Sequence, residues 1–276
     1  MAAVISSAPP AHAAHVGANA MISIRDVSKS FGALKVLDHV NIEVARGEFL
    51  VLLGASGCGK STLLNLISGF ERSSTGSVHV NDREVRDVDP GCGMVFQQYA
   101  LFPWKTVQQN VEFGLKMRGI ARRERGKTAQ HYIEMVGLRG FENSYPGALS
   151  GGMKQRVSIA RVLANDPDVM LFDEPFAALD AMTRQVLQEQ LLSIYEKSGK
   201  TILFITHSID EALMLSTRMV VMGAKPGRVV QDIHNDLPHP RTAEVQLSPR
   251  YIELKKSIWE TVQLEVMKSL EQVKQP

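Results

Sequence analysis

The sequence predicts an α/β fold: a mostly parallel core sheet covered by helices, with a helical subdomain inserted into it. Three observations carry this. Near-continuous apolar runs recur in "EFLVLLG", "DVMLFDE" and "TILFITH", the pattern of strands buried on both faces of a parallel sheet. A helical stretch, residues 179–197, separates the last two, and strand–helix–strand alternation builds parallel sheets. Residues 101–162 are helical in pattern, punctuated by Gly119, Gly137, Gly140 and Gly147, and read as the insert.

The elements follow in order. Residues 1–20, "MAAVISSAPPAHAAHVGANA", are alanine-rich, lack an early Lys or Arg, and contain Pro9-Pro10. They predict a disordered tail and no signal peptide. Order begins at Met21, opening a main domain over 21–235. "ISIRDVSKSF" and "VNIEV" alternate as strands, with "GALKVLDH" as the turn region between them. "EFLVLLG" lies between Gly47 and Gly54, and a helix runs from Lys60 to Phe70 with Leu63, Leu64 and Ile67 on one face. "SVHV" and "GMVF" are short strands; "RMVVMG" and "RVVQDI" close the domain around Pro226-Gly227. Residues 236–276 form a partly helical extension, with a helix over Ser248–Val273. Its stripe of Ile258, Val262, Val266 and Leu270 either packs on its own domain or serves a dimer or regulatory contact.

Composition narrows the partners. The chain has 276 residues, 31 basic and 29 acidic, for a net charge of +2. That balance gives no strong field and argues against nucleic acid. No run reaches ~18 consecutive apolar residues, so no segment predicts a membrane crossing. Cys58 and Cys92 form neither a metal spacing nor a disulfide framework, which fits a reducing, cytosolic setting.

"GASGCGKST" fits G-x-x-x-x-G-K-[ST], from Gly54, Ala55, Ser56, Gly57 and Cys58 to Gly59, Lys60, Ser61 and Thr62. It follows a strand and opens a helix. Its glycines permit a tight curl, its backbone N–H groups form an anion nest, and the helix N-terminus adds positive potential. Lys60 is expected on the β and γ phosphates and Ser61 on Mg²⁺. Chance produces such a match about once in a hundred chains of this size.

"VMLFDEP" ends a buried strand with Asp173 and Glu174 before Pro175. Asp173 can hold Mg²⁺, directly or through water, while Glu174 orients or deprotonates an attacking water. "FITHS" ends the next strand with His207, which can contact the γ phosphate.

These motifs, with the glutamine in "GMVFQQ", then "LSGGMKQR", "LFDEP", "ALD" and "THS", stand in the order found in ABC-type ATPase subunits. The chain resembles that family over residues 22–233. The octamer is the most specific element, because other phosphate-loop enzymes lack it. The resemblance implies a P-loop NTPase fold that adds an antiparallel β subdomain. It implies that two chains sandwich two ATP molecules head to tail. Ser150, Gly151 and Gly152 would then touch the γ phosphate of ATP held by the other subunit. Met153 stands where many relatives carry glutamine. Phe31 matches the aromatic that stacks on adenine, Gln97 the residue linking Mg²⁺ and water to the transport partner, and Asp180 the aspartate that crosses the dimer interface. Glu174 would be the general base and His207 the switch residue.

"QQYALFPWKTVQQNVEFGL", "DEPFAALDAMTRQ" and "KPGRVVQDI" are similar to the nitrate, taurine and alkanesulfonate importer group. This implies a homodimer of ATPase subunits, a separate membrane permease, an extracytoplasmic binding protein, and a peripheral place on the cytoplasmic face of the inner membrane. Taurine or another sulfonate is the first choice of cargo; nitrate, bicarbonate, cyanate and a thiamine precursor stay open. Trp104 is also readable as a plain apolar anchor for any permease. Two rivals are a soluble ABC ATPase acting on DNA or ribosomes and a small-molecule kinase or GTPase. The first usually carries a second ATPase domain or a long coiled coil, and the second has no use for "LSGGMKQR".

Overall fold

The computed structural model describes residues 20–273 except residue 178. The expected N-terminal tail, apart from Ala20, which opens a strand, therefore lies outside the described residues. Strands β1 (Ala20–Phe31) and β2 (Leu34–Ala45) form a hairpin, followed by β3 (Phe49–Gly54) and helix α1 (Lys60–Ser68). Next come β4 (Thr75–Val80), β5 (Arg83–Glu84) and β6 (Cys92–Val95). Helices α2 (Val107–Val111), α3 (Phe113–Met117), α4 (Arg122–Met135) and α5 (Gly151–Ala164) build the helical subdomain. Then β7 (Val169–Asp173), α6 (Ala181–Ser198), β8 (Thr201–Thr206) and α7 (Ile209–Leu215) alternate. The hairpin β9 (Arg218–Gly223)–β10 (Arg228–His234) and helix α8 (Pro249–Val273) complete the chain.

Two sheets result. The smaller is antiparallel, in the order β2-β1-β4-β5. The larger runs β10-β9-β3-β8-β7-β6, parallel except for β10 on one edge. The apolar runs are explained by their two-sided burial. Phe49, Val51 and Leu53 of β3 enter one core with Met170, Phe172, Ile202 and Phe204. The alternating Leu50 and Leu52 enter the other, with Leu171 and Leu203. The first core packs under the helical subdomain, α6 and α7; the second lies between this sheet, α1 and the antiparallel sheet.

Several boundaries differ from expectation. Most of "GALKVLDH" is strand, with only two residues between β1 and β2. The register shifts along β1 and a left-handed φ of 47° at His39 break the period of two, so this half of the hairpin does not alternate as a strand should. Helix α1 stops at Ser68, because Gly69 takes a left-handed φ of 80°. The last helix of the insert continues past 162 to Ala164. β5 is a two-residue edge strand with no pattern long enough to read. The stripe on α8 places Ile258 in the first core and packs Val262 against it; Tyr251 and Leu254 join them from the same helix.

Candidate nucleotide site

The parallel register puts the C-terminal ends of β3, β6, β7 and β8 along one edge, where ligands of open α/β sheets bind. The phosphate loop leaves β3 there. Gly59 is required twice over: its φ is 89°, and a Cβ would come 2.6 Å from Leu37 Cδ2. Ser56 and Gly57 are exposed at the rim, and Ser61 projects from the first turn of α1. Cys58 corrects the expectation in part, since its side chain is buried in the second core and only its backbone can face a ligand. Lys60 Nζ donates to the loop's own carbonyls, at 2.8 Å to Gly54 O and 3.0 Å to Ala55 O. Those bonds hold the ammonium against the loop.

Ser61 Oγ donates to Asp173 Oδ1 at 3.0 Å, so the loop and the end of β7 meet at one hydroxyl. Burial pushes the Asp173 carboxyl above the usual carboxylate range, with Glu174 adding to the shift; the Ser61 hydrogen bond and Lys60 oppose it. Glu174 sits at a φ of 43°. This left-handed backbone, costing about 1 kcal/mol or more for a non-glycine residue, bends the chain as the strand ends. His207 Nδ1, beyond β8, lies 3.3 Å from Glu174 Oε2. Phe31 is 47% exposed, with Lys29 Nζ 4.6 Å from its ring centroid. Gln97 is exposed after β6, and among the hydrogen bonds of the described residues none joins it to Ser61, Asp173 or Glu174.

Ser150 is the N-cap of α5, its Oγ accepting from Met153 N at 3.3 Å. The amides of Gly151 and Gly152 are therefore the first-turn donors without an acceptor in the helix. Gly152 also answers to packing: it is buried, and a Cβ would lie 2.6 Å from Thr183 Cγ2 on α6. Met153 packs against the first core. Asp180 caps α6, accepting from Thr183 N at 3.0 Å; that bond holds its carboxyl below the usual range.

The family model described as "ABC transporter" matches residues 37–177. An ABC transporter ATP-binding protein of Methanocaldococcus jannaschii is 48% identical over 253 residues, covering 90% of this chain and 94% of that one. The chain belongs to the ABC transporter family. As such it is an ATP-binding and ATP-hydrolysing subunit whose turnover is coupled to transport. The aliphatic sulfonates import ATP-binding protein SsuB of Bacillus cereus is 43% identical over 241 residues, covering 86% of this chain and 94% of that one. Among solved structures, the ATP-binding cassette MJ0796, dimeric and bound to ADP and Pi after hydrolysis, matches with a TM-score of 0.70 and 34% identity over 78% of this chain and 98% of that one. The structure of cbiO1 from Clostridium perfringens, part of the ABC transporter complex cbiONQ, gives 0.73 and 26% over 93% and 99%.

Two features of this ABC transporter ATPase escaped the sequence reading. Gly227, between β9 and β10, is pressed so close to the phosphate loop that a Cβ would collide with Cys58 O. No local signal marks a glycine that backs a loop about 170 residues away in the chain. Asn110, fully buried in α2, staples the loop carrying Trp104. Its Oδ1 accepts from Phe102 N at 2.9 Å, while Nδ2 faces the carbonyls of Phe102, Lys105 and Thr106 at 3.2, 3.0 and 3.0 Å. A polar residue at a buried helical position was the available clue. Among the described residues no helix is long and apolar enough to cross a membrane.

Proposed function

We propose that this chain drives import of a small sulfonate, with taurine or an alkanesulfonate as cargo, by closing and opening as a head-to-tail homodimer around two ATP molecules. The observation that carries the chemistry is the meeting of Ser61, Asp173, Glu174 and His207 at one sheet edge, with the pairs 3.0 and 3.3 Å apart. The sulfonate reading rests on the similarity to SsuB and on "FPWKTVQQN" after the glutamines. The dimer reading draws on the dimeric MJ0796 cassette.

Mg²⁺ suits the residues present. Ser61 and Asp173 offer hard oxygen donors at one point, and a cation would relieve the buried Asp173 carboxylate. Among the described residues no group of three or more His, Cys, Asp and Glu is placed to hold a metal, which suits an ion that keeps waters and takes phosphate oxygens. Bound there, Mg²⁺ would neutralise charge on the β and γ phosphates. In this reading the loop amides and Lys60 hold the phosphates, and the Phe31 ring stacks on adenine. Glu174 accepts the proton of the attacking water. His207, beside Glu174, donates to the γ phosphate. Gln97 reports that phosphate to the permease. Ser150 and the amides of Gly151 and Gly152 close the site from the partner copy, and Asp180 lies along the shared interface. Permease subunits and an extracytoplasmic binding protein complete the importer, with this chain on the cytoplasmic face of the membrane. The domain reading is a main body over 21–235 and an extension beyond it.

Glu174→Gln tests the chemistry. A carboxamide cannot take the proton, so ATP should trap a dimer visible by size-exclusion chromatography. A variant that stays monomeric in excess ATP and still hydrolyses it would discard the scheme. Growth of a deletion strain on taurine as sole sulfur source tests the cargo. Normal growth there, with a defect on nitrate, cyanate, bicarbonate limitation or thiamine starvation, would reassign it.

A further inference from the structure

Arg161 lies in the last turn of α5 and reaches back to the turn that follows Gln97 and Gln98. Its Nη1 donates to Ala100 O at 2.6 Å and its Nη2 to Tyr99 O at 3.2 Å. A planar guanidinium suits two neighbouring carbonyls in a way that a point charge does not. Tyr99 and Ala100 are both left-handed, with φ of 31° and 47°. Non-glycine residues seldom adopt that conformation singly, so two in succession need an external hold. Partial burial pushes the Arg161 guanidinium below its ordinary value, and among the described residues no carboxylate offsets it. The half-buried charge is therefore held, among the described residues, by these carbonyls and not by an ion pair.

A second contact ties the same turn to the other end of the helix. A Cβ on Gly151 would lie 3.0 Å from Tyr99 Oη, so the phenol rests on the first turn of α5. The turn is thus attached to α5 at Gly151 and at Arg161, ten residues apart, about 15 Å along a helix axis.

We infer that Arg161 is a positioning residue that locks the Gln97 loop onto the signature helix, so that Gln97 and Ser150 move as one body. This rests on the roles proposed above for Gln97 and Ser150. A displacement sensed at Gln97 then reaches the partner-facing end of α5 without slack. Arg161 touches neither nucleotide nor water in this scheme; it acts through the loop.

The test separates loop order from turnover. A trifluoromethyl label on Gln98→Cys, in protein without nucleotide, reports the loop by ¹⁹F NMR. The native thiols are suitably silent: Cys58 is buried, and burial pushes Cys92 up to about 12. With Arg161 in place the label should give one sharp line. Arg161→Met should broaden or split it while the melting temperature stays near that of the parent, and Arg161→Lys should restore it in part. In unlabelled protein, Arg161→Met should lower kcat about ten- to hundredfold while KM for ATP changes by no more than about twofold, since the phosphate loop is untouched. An Arg161→Met spectrum identical to the parent's, or an unchanged kcat, would overturn the inference. Failure of Glu174→Gln to dimerise would instead refute the shared-nucleotide scheme and leave the ¹⁹F result standing.

Discussion

Replacing Asn110 by alanine should loosen the loop that presents Trp104. The side chain is fully buried. It accepts one hydrogen bond from Phe102 N and faces three carbonyls with its amide nitrogen. An NH₂ group has two protons, so the residue makes three bonds, two of them donated. At about 1 kcal/mol net for each, Asn110→Ala should cost about 3 kcal/mol. For a domain of this size that lowers the melting temperature by about 6–12 °C. Asn110→Asp separates donors from acceptor. It keeps the bond to Phe102 N but turns a carboxylate toward three carbonyls, so it should destabilise at least as much as alanine. Trp104 is 70% exposed and rests on this loop through Phe102, with ring centroids 5.9 Å apart. Both variants should therefore weaken the permease's stimulation of ATP hydrolysis more than the basal rate. Differential scanning calorimetry and ATPase assays with and without permease supply the measurements. If Asn110→Asp melts as the parent does, the donated bonds carry no weight and the reasoning fails.

Other consequences follow from the same geometry. Gly152→Ala should overpack α5 against α6, costing about 1–3 kcal/mol, and Thr183→Ser, which removes the methyl in the way, should return most of the lost melting temperature. Because burial raises the Asp173 carboxyl, folding binds its proton more tightly than the unfolded chain does. That penalty is absent below the ordinary aspartate value and grows as pH rises above it. Asp173→Asn should thus melt above the parent at pH 7 and level with it near pH 3, while hydrolysing no ATP; a gain at low pH alone would contradict the sign.

The sheet was legible because β3, β7 and β8 are buried on both faces, which writes an unbroken apolar run into each. The helix over 249–273 was legible from its spaced stripe, of which Ile258 and Val262 reach the core. The first hairpin was misread where β1 and β2 slip in register, because a bulge moves side chains to the wrong face without changing residue types. At the candidate site, residue types and order pointed to Ser61, Asp173, Glu174 and His207, since each stands at or beyond the C-terminal end of a strand that a parallel sheet aligns with the others. What the residue order could not carry was long-range packing: Gly227 under the phosphate loop and Thr183 against Gly152 depend on contacts between elements. Single residues of ordinary type reveal such contacts only in three dimensions.

Three unfavourable features meet at that edge. Glu174 holds a left-handed backbone, Asp173 keeps a carboxyl that burial disfavours as a charge, and Lys60 is an ammonium only 5% exposed, served by two loop carbonyls. No packing requirement explains such a concentration, because each group would be cheaper as an apolar residue in a parallel-sheet core. A polyphosphate with a divalent ion supplies what each charged group lacks: anionic oxygens for Lys60 and a cation for Asp173. Nucleotide binding should therefore stabilise the fold as well as initiate turnover, and by mass action the gain grows with the logarithm of its concentration. The same reasoning requires Asp173→Asn, already relieved of its charge, to gain less from Mg²⁺ and ATP together than the parent chain does.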